Sequence, residues 1–400
     1  MAKQEAAATS ARDSDSGHLA FYEAHKISPV RYQAASLDEH FQRRDSLYRS
    51  LGLPPVAFNG ARVLEVAAGS GQNSLYVASC NPARLELVEP NSTGRAEIEA
   101  AYRAFDRPHT APILHSNRLQ EFHPPEPFDI VIAENWLGSL PHELELIAKL
   151  AGLLAPGGVL VLTVVPLSGF FPNVMRKLMA LRIMPRDGGF AENTQMLVDV
   201  FAPHLSTMAG MTRSHRDWVV DCMVNPHYLN VCLPLDRVLE TIGGELELLA
   251  TFPRFSSDWR WYKSLTGSAR GFNRHHLDAY RANAHNFIDY RKRLPPLDLA
   301  TAESLNQAFA AVLAAGLSYQ QQMSSGAADT SEVGEALAQL AAVDDEVLRN
   351  FSRELDELRT VWSRPVLRPE DISNMQAFGG LFGRETVYVS MTRPRLGEGA

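Results

Sequence analysis

The sequence predicts an α/β protein built on a doubly wound, mostly parallel sheet. Runs rich in Val, Ile and Leu recur at ARVLEVA (61–67), RLELVEP (84–90), APILHS (111–116), FDIVIAE (128–134) and GGVLVLTVV (157–165). Such apolar runs suit strands covered on both faces by helices. Helical stretches separate them: in PHELELIAKLAGLLAPGG, Leu144, Ile147, Ala148, Leu150 and Ala151 share one face, and APGG supplies the stop. Strands alternating with helices over short connections define an open α/β sheet. Near the end, Val387, Val389 and Met391 of VYVSMTR alternate with polar neighbours, so the chain is expected to return to the first sheet after a helical insertion.

Taken in order, residues 1–17 (MAKQEAAATSARDSDSG) read as a disordered tail without the apolar centre of a signal peptide. Residues 18–56 form a helical arm. Leu37, Phe41, Leu47 and Leu51 set its second helix, and LGLPP ends it because proline cannot continue the hydrogen-bond ladder. RRDSLYR around Arg43 and YRKR around Arg291 read as solvated helix faces. A core spans 57–167 and a lid or substrate insertion 168–235. A helix and the sixth strand occupy 236–256, a helical cap 257–375, and the seventh strand and tail 376–400. Within the cap, Val333, Leu337, Leu340, Val347, Phe351, Leu355 and Leu358 trace one face of a single long helix, which could pack on the cap or form a homodimer.

A formal net charge of −8 over 400 residues argues against nucleic acid as a partner, since phosphate binding relies on basic patches. Cys80, Cys222 and Cys232 form no metal spacing and read as reduced thiols. No apolar run reaches the roughly 18–20 residues needed to cross a bilayer. The expectation is a cytoplasmic protein with a small-molecule substrate, no membrane partner and no metal.

The ligand signal lies in VLEVAAGSGQNS. Gly69 and Gly71 permit close backbone approach to a ligand at the carboxyl edge of the first strand. Amides of the following helix would face that ligand. Glu89 ends the second strand 18 residues after Gly71, a spacing suited to a ribose diol. Glu65 would repel a pyrophosphate and attract a cation.

EVAAGSG, LVEP, HSNRLQEF, FDIVIAENWL, LAPGGVLVLT and the terminal VYVSMTR, in series, resemble the motifs of class I S-adenosylmethionine-dependent methyltransferases. The resemblance implies their Rossmann-like seven-stranded sheet, with a helical cap inserted late in this chain. It implies S-adenosylmethionine as cofactor, its amino-acid moiety near Glu65, Ala67, Gly69, Ser70 and Gly71. Glu89 and Pro90 would lie by the ribose, and Ser116 and Asn117 by the adenine. Ala67 departs from the family's usual glycine. Glu134 and Asn135 would face the reactive end, with Trp136 over the sugar or adenine. Tyr22, with Lys26 and Ser28, lies on an arm that could close over the cofactor.

Methyl transfer is an in-line displacement with an activated leaving group, so no catalytic triad is expected. Asp221, Asn225 and Tyr228, in a segment dense in recognition groups, are the further candidates beside Asn135 for catalysis. Trp259 and Trp261 either line the pocket or anchor the helical block, the second being preferred because indoles are large apolar units. A narrower resemblance, through KISPV, HFQRRDSLYRSLGLPP, AENWLG and NPHY, is to bacterial natural-product enzymes, some of which cyclise S-adenosylmethionine to azetidine-2-carboxylate. A silent subunit that only binds the cofactor is the third reading.

Overall fold

The computed structural model describes residues 17–28, 36–326, 328–343 and 345–394. Each apolar run becomes a strand: β1 (Arg62–Val66), β2 (Arg84–Val88), β3 (Ile113–His115), β4 (Phe128–Ala133), β5 (Leu154–Val164), β6 (Glu247–Phe252) and β7 (Val387–Thr392). They hydrogen-bond in the order β3-β2-β1-β4-β5-β7-β6. Strands β1 to β5 run parallel, and β7 lies antiparallel between β5 and β6. The order reverses at β1, so the chain leaves β1 and β4 toward opposite sides. That opens a crevice at their carboxyl ends, where open α/β sheets bind ligands.

APGG differs from expectation. β5 begins at Leu154, opposite Phe128, and its register with β4 shifts between Phe128 and Ile130. Gly157, at φ +80°, lies within this irregularity, so a segment expected to stop a helix instead sits inside the strand.

The chain divides into two compact units. The first holds the described parts of Met1–Val164, Leu233–Leu277 and Val387–Ala400, and contains the sheet. Its helices include α1 (residues 17–25), α2 (Leu37–Ser50), α3 (Gln72–Ser79), α4 (Ser92–Ala104) and α5 (Pro141–Gly152). Ser36 caps α2 by accepting from the Glu39 amide. The inward face of α2 carries His40, Arg44, Leu47 and Tyr48, while Leu37 and Phe41 are only partly buried. This corrects the expected solvated face: Arg44 is buried because a buried carboxylate meets it.

The second unit, Val165–Cys232 with Asp278–Thr386, is helical. Helices Leu167–Ile183, Phe190–Leu205, Leu299–Ser325, Ser331–Ala341 and Ser352–Trp362 share one core that includes Met175, Leu178, Phe201, Leu337, Leu358 and Trp362. The single long helix expected over 333–358 is two longer helices with shorter turns between them. Both present their apolar residues to the same core, so apolar spacing survives a break that it cannot reveal. Among the described residues no helix is long and apolar enough to cross a membrane.

Trp259 and Trp261, read above as anchors, are 93% and 64% exposed. They follow β6 in a segment held by local turns and pack into no core.

Candidate active site

The turn after β1 is built from left-handed backbone. Ala67 (φ +57°), Gly69 (+58°) and Gly71 (+74°) all lie in that region. A Cβ on Gly71 would meet Ile98 Cγ1 at 2.8 Å. Its glycine is therefore required by conformation and by the close approach of α4. Ala67 keeps its amide bonded to the Val88 carbonyl at 2.8 Å. An alanine in this conformation is strained by about 1–2 kcal/mol. Ala67→Gly is expected to raise stability by about 0.5–1 kcal/mol, net of the added unfolded-chain freedom, read as a higher urea midpoint.

Glu89 locks this turn. Its Oε2 accepts from the Gly69 amide at 2.7 Å and its Oε1 from the Asn91 amide at 2.8 Å. Burial raises its carboxyl to about 7, opposed by those two amides. A Cβ on Gly94 would press on the Gly69 carbonyl at 2.8 Å and on Glu89 Cγ at 3.2 Å. Gly94→Ala should therefore displace Glu89 and cost about 1–3 kcal/mol, measured by urea unfolding. Asn91 caps α4 and donates from Nδ2 to the Ile27 carbonyl at 3.0 Å, tying the end of the arm beside Glu89. Tyr22 accepts the Ile27 amide on its carbonyl at 3.0 Å, and Ser28 is buried at the same end.

Glu65, at the carboxyl end of β1, is buried, and its Oε2 has no hydrogen-bond partner. Its carboxyl is raised to about 8, first by burial and next by the charge of Glu134. Glu134 follows β4 and is gripped from α2. Arg44 donates to Glu134 Oε2 at 2.9 Å and Oε1 at 2.6 Å, both side chains being below a tenth exposed. Tyr48 donates to Glu134 Oε1 at 3.3 Å. Burial opposes the Arg44 charge, but Glu134 more than restores it and holds the guanidinium well above its usual value. Burial likewise drives the Tyr48 hydroxyl well above its usual value, so Tyr48 stays a donor.

Asn135 stands at φ +61°, exposed, with its amide on Thr163 Oγ1 at 2.8 Å. The indole N–H of neighbouring Trp136 is buried without an acceptor. Ser70 is buried in the glycine turn, Pro90 is half-buried after Glu89, and Ser116 and Asn117 are exposed beyond β3. Thus the carboxyl ends of β1, β2 and β4 carry Glu65, Glu89 and Glu134. Arg44 and Tyr48 join them, and the sequence reading missed both. The signal was a polar stripe of His40, Arg44 and Tyr48 at four-residue spacing on one helix face.

The other candidates belong to the helical unit. Asp221 lies in a π-turn, Val220–Val224, and accepts from Arg213 at 2.6 Å. Asn225 Oδ1 accepts the His227 amide at 3.0 Å, while the Asn225 carbonyl accepts Lys177 Nζ at 2.9 Å. The Tyr228 hydroxyl accepts from Asn173 Nδ2 at 3.0 Å and donates to Glu385 Oε2 at 3.4 Å. Asn173 and Glu385 were not anticipated; 212 residues separate them, beyond the reach of local pattern. No group of three or more metal-ligating side chains occurs among the described residues.

A parallel sheet completed by an antiparallel seventh strand between the fifth and sixth defines the class I methyltransferase fold. Residues 39–208 match the family model described as a methyltransferase domain. Among curated proteins none matches the chain. Solved structures match at low identity. The N-methyltransferase NodS from Bradyrhizobium japonicum WM9, in complex with S-adenosyl-L-homocysteine, is 19% identical over 36% of this chain and 72% of its own, with TM-score 0.29. Magnesium protoporphyrin IX methyltransferase from Synechocystis PCC 6803, with bound S-adenosylmethionine, is 18% identical over 38% and 77%, with TM-score 0.31. The [4+2]-cyclase SpnF is 14% identical over 89% and 81%, with TM-score 0.35. Against two other matched methyltransferase structures the chain spans only 44% and 51% of their length.

Proposed function

We propose that this chain is an S-adenosylmethionine-dependent enzyme that transfers a methyl group to a small molecule in a bacterial biosynthetic pathway. One observation carries the reading: Glu65 Oε2 is a buried acceptor with no partner, set beside a turn of left-handed backbone. A buried carboxyl oxygen left unmade is costly, and an ammonium group would satisfy it. The residues therefore fit the cofactor. Bound there, it would supply a methyl group on an already activated sulfonium.

The chain's work is then binding, orientation and exclusion of water. Glu65 holds the ammonium, and the turn 67–71 seats the amino-acid end. Glu89 retains a second lone pair on each oxygen after its two amide bonds, enough for two ribose hydroxyls. Ser116, Asn117 and Tyr22 are assigned to the adenosine, with Pro90 beside it. Arg44 keeps Glu134 oriented at the edge of β4. Asn135, at the edge of β4, is assigned to the acceptor. Glu89→Ala should weaken cofactor binding about ten- to a hundredfold, since it removes charge-assisted bonds; titration calorimetry reads the change.

A second reading has one specific support. Glu65, with proton affinity near neutrality, could take a proton from the bound ammonium. The amine nitrogen would then form a bond to its own γ-carbon as the γ-carbon–sulfur bond breaks, releasing methylthioadenosine and azetidine-2-carboxylate. Incubation with S-adenosylmethionine alone, followed by mass spectrometry, separates the readings. S-adenosylhomocysteine that forms only with an added acceptor supports methyl transfer. Methylthioadenosine formed faster than without enzyme supports cyclisation, and binding with neither product marks a silent subunit.

A further inference from the structure

The loop that follows β6 carries an unusual set of exposed side chains. Trp259 is 93% exposed, Trp261 64% and Tyr262 68%, on a segment whose residues from 257 to 269 are exposed except for half-buried Arg260 and Leu265. Soluble monomers rarely leave several large aromatic rings together in water. The surrounding charge is one-sided. Residues 253–276 hold Arg254, Arg260, Lys263, Arg270 and Arg274 against the single acid Asp258, in a chain whose net charge is −8. Arg260 is matched by Asp258, and Arg270 by Glu247. Among the described residues Lys263 forms no ion pair and lies 5.7 Å from the Trp261 centroid and 5.9 Å from that of Tyr262.

We propose that this loop docks the protein on an anionic lipid surface, the two indoles and the phenol entering the headgroup region and Lys263 meeting lipid phosphates. Tryptophan and tyrosine prefer that zone because each joins an apolar ring to a polar tip, and basic neighbours add attraction to anionic headgroups. Short 3-10 turns at Tyr262–Ser264 and Gly267–Ala269 shape the loop that carries the exposed rings. A bilayer accommodates any protruding ring, whereas a protein partner needs a surface shaped to it. Charge complementarity selects anionic lipid over neutral lipid. Surface docking requires no spanning helix, so the lack of an apolar span does not bear on it.

Vesicle co-sedimentation of the full chain tests this. Vesicles with about one third phosphatidylglycerol should retain the protein about tenfold better than pure phosphatidylcholine, and about 0.5 M salt should abolish the difference. Trp259→Ser with Trp261→Ser should lose retention, and Lys263→Glu should weaken it several-fold. Unchanged melting temperatures would show that these exposed positions leave the fold intact. The proposal is overturned if neither vesicle retains the protein, or if the double serine variant binds as well as the parent. It is equally overturned if sedimentation shows a dimer that the serine variant loses, since a second copy then covers the rings. A blue shift of the parent's tryptophan emission with S-adenosylmethionine alone, missing in the serine variant, would assign the rings to a ligand site and also sink it.

Discussion

Glu65→Gln is expected to weaken S-adenosylmethionine binding about a hundredfold at pH 8, the loss of one charge-assisted contact to a buried partner. The pH dependence is the sharper signature. Burial and the Glu134 charge raise the Glu65 carboxyl from 4.5 to about 8, so the unliganded protein holds this proton at pH 7. An ammonium ligand needs the ionised form, and binding must therefore expel the proton. Affinity should rise about tenfold per pH unit between pH 6 and 7 and level off near 8. Beyond that the ligand's own α-amine, of pKa about 7.7–8.0, loses its charge. Calorimetry in two buffers of different ionisation enthalpy would register the released proton, and in the glutamine variant slope and release should shrink to the share of Glu89, whose carboxyl burial raises to about 7. A parent affinity independent of pH would place the ammonium elsewhere.

The same group links pH to stability. The folded state keeps a proton that the unfolded chain gives up above 4.5, so the contribution of Glu65 to stability is greatest below that pH. It falls as pH rises toward 8, by a few kcal/mol in order of magnitude. Glu65→Gln should reduce this fall in urea unfolding curves measured from pH 5 to 9, leaving the share of Glu89, which burial raises to about 7.

The central strands β1, β2 and β4 were legible because burial on both faces writes apolar runs, and the glycine turn because left-handed backbone favours glycine. Glu65 and Glu89 could be placed for a related reason, since each ends a readable strand. Arg44 could not be read in the same way. Its neighbours Arg43 and Asp45 make the segment look solvated, and only the fold brings Glu134, 90 residues away, against it. Asn173 and Glu385 were hidden by sequence distance as well. The break between 341 and 352 was invisible because both helices keep the same apolar face. The exposed indoles reversed an expectation based on size alone: side-chain apolarity favours burial, but it does not say against what.

Arg44→Met should be the most damaging single change at the sheet edge. It leaves Glu134 buried beside Glu65, with only the Tyr48 hydroxyl to donate to it among the described residues. Breaking a buried pair from one side costs about 3–5 kcal/mol, because the remaining charge keeps its desolvation penalty without its partner. Glu134→Gln alone should cost a similar amount by stranding Arg44. The double variant, Arg44→Met with Glu134→Gln, should recover most of the loss, since a neutral pair of comparable volume carries no such penalty. Urea unfolding of the four proteins gives the coupling, expected to exceed about 2 kcal/mol. Binding supplies the second readout. Arg44 lowers the Glu65 carboxyl and Glu134 raises it, so losing Arg44 alone should move the midpoint of the binding pH profile above 8. The double variant should bring it back toward the parent value. Additive stabilities with an unmoved midpoint would mean that water already solvates Glu134, and that α2 packs on the sheet without governing the charge of the cofactor site.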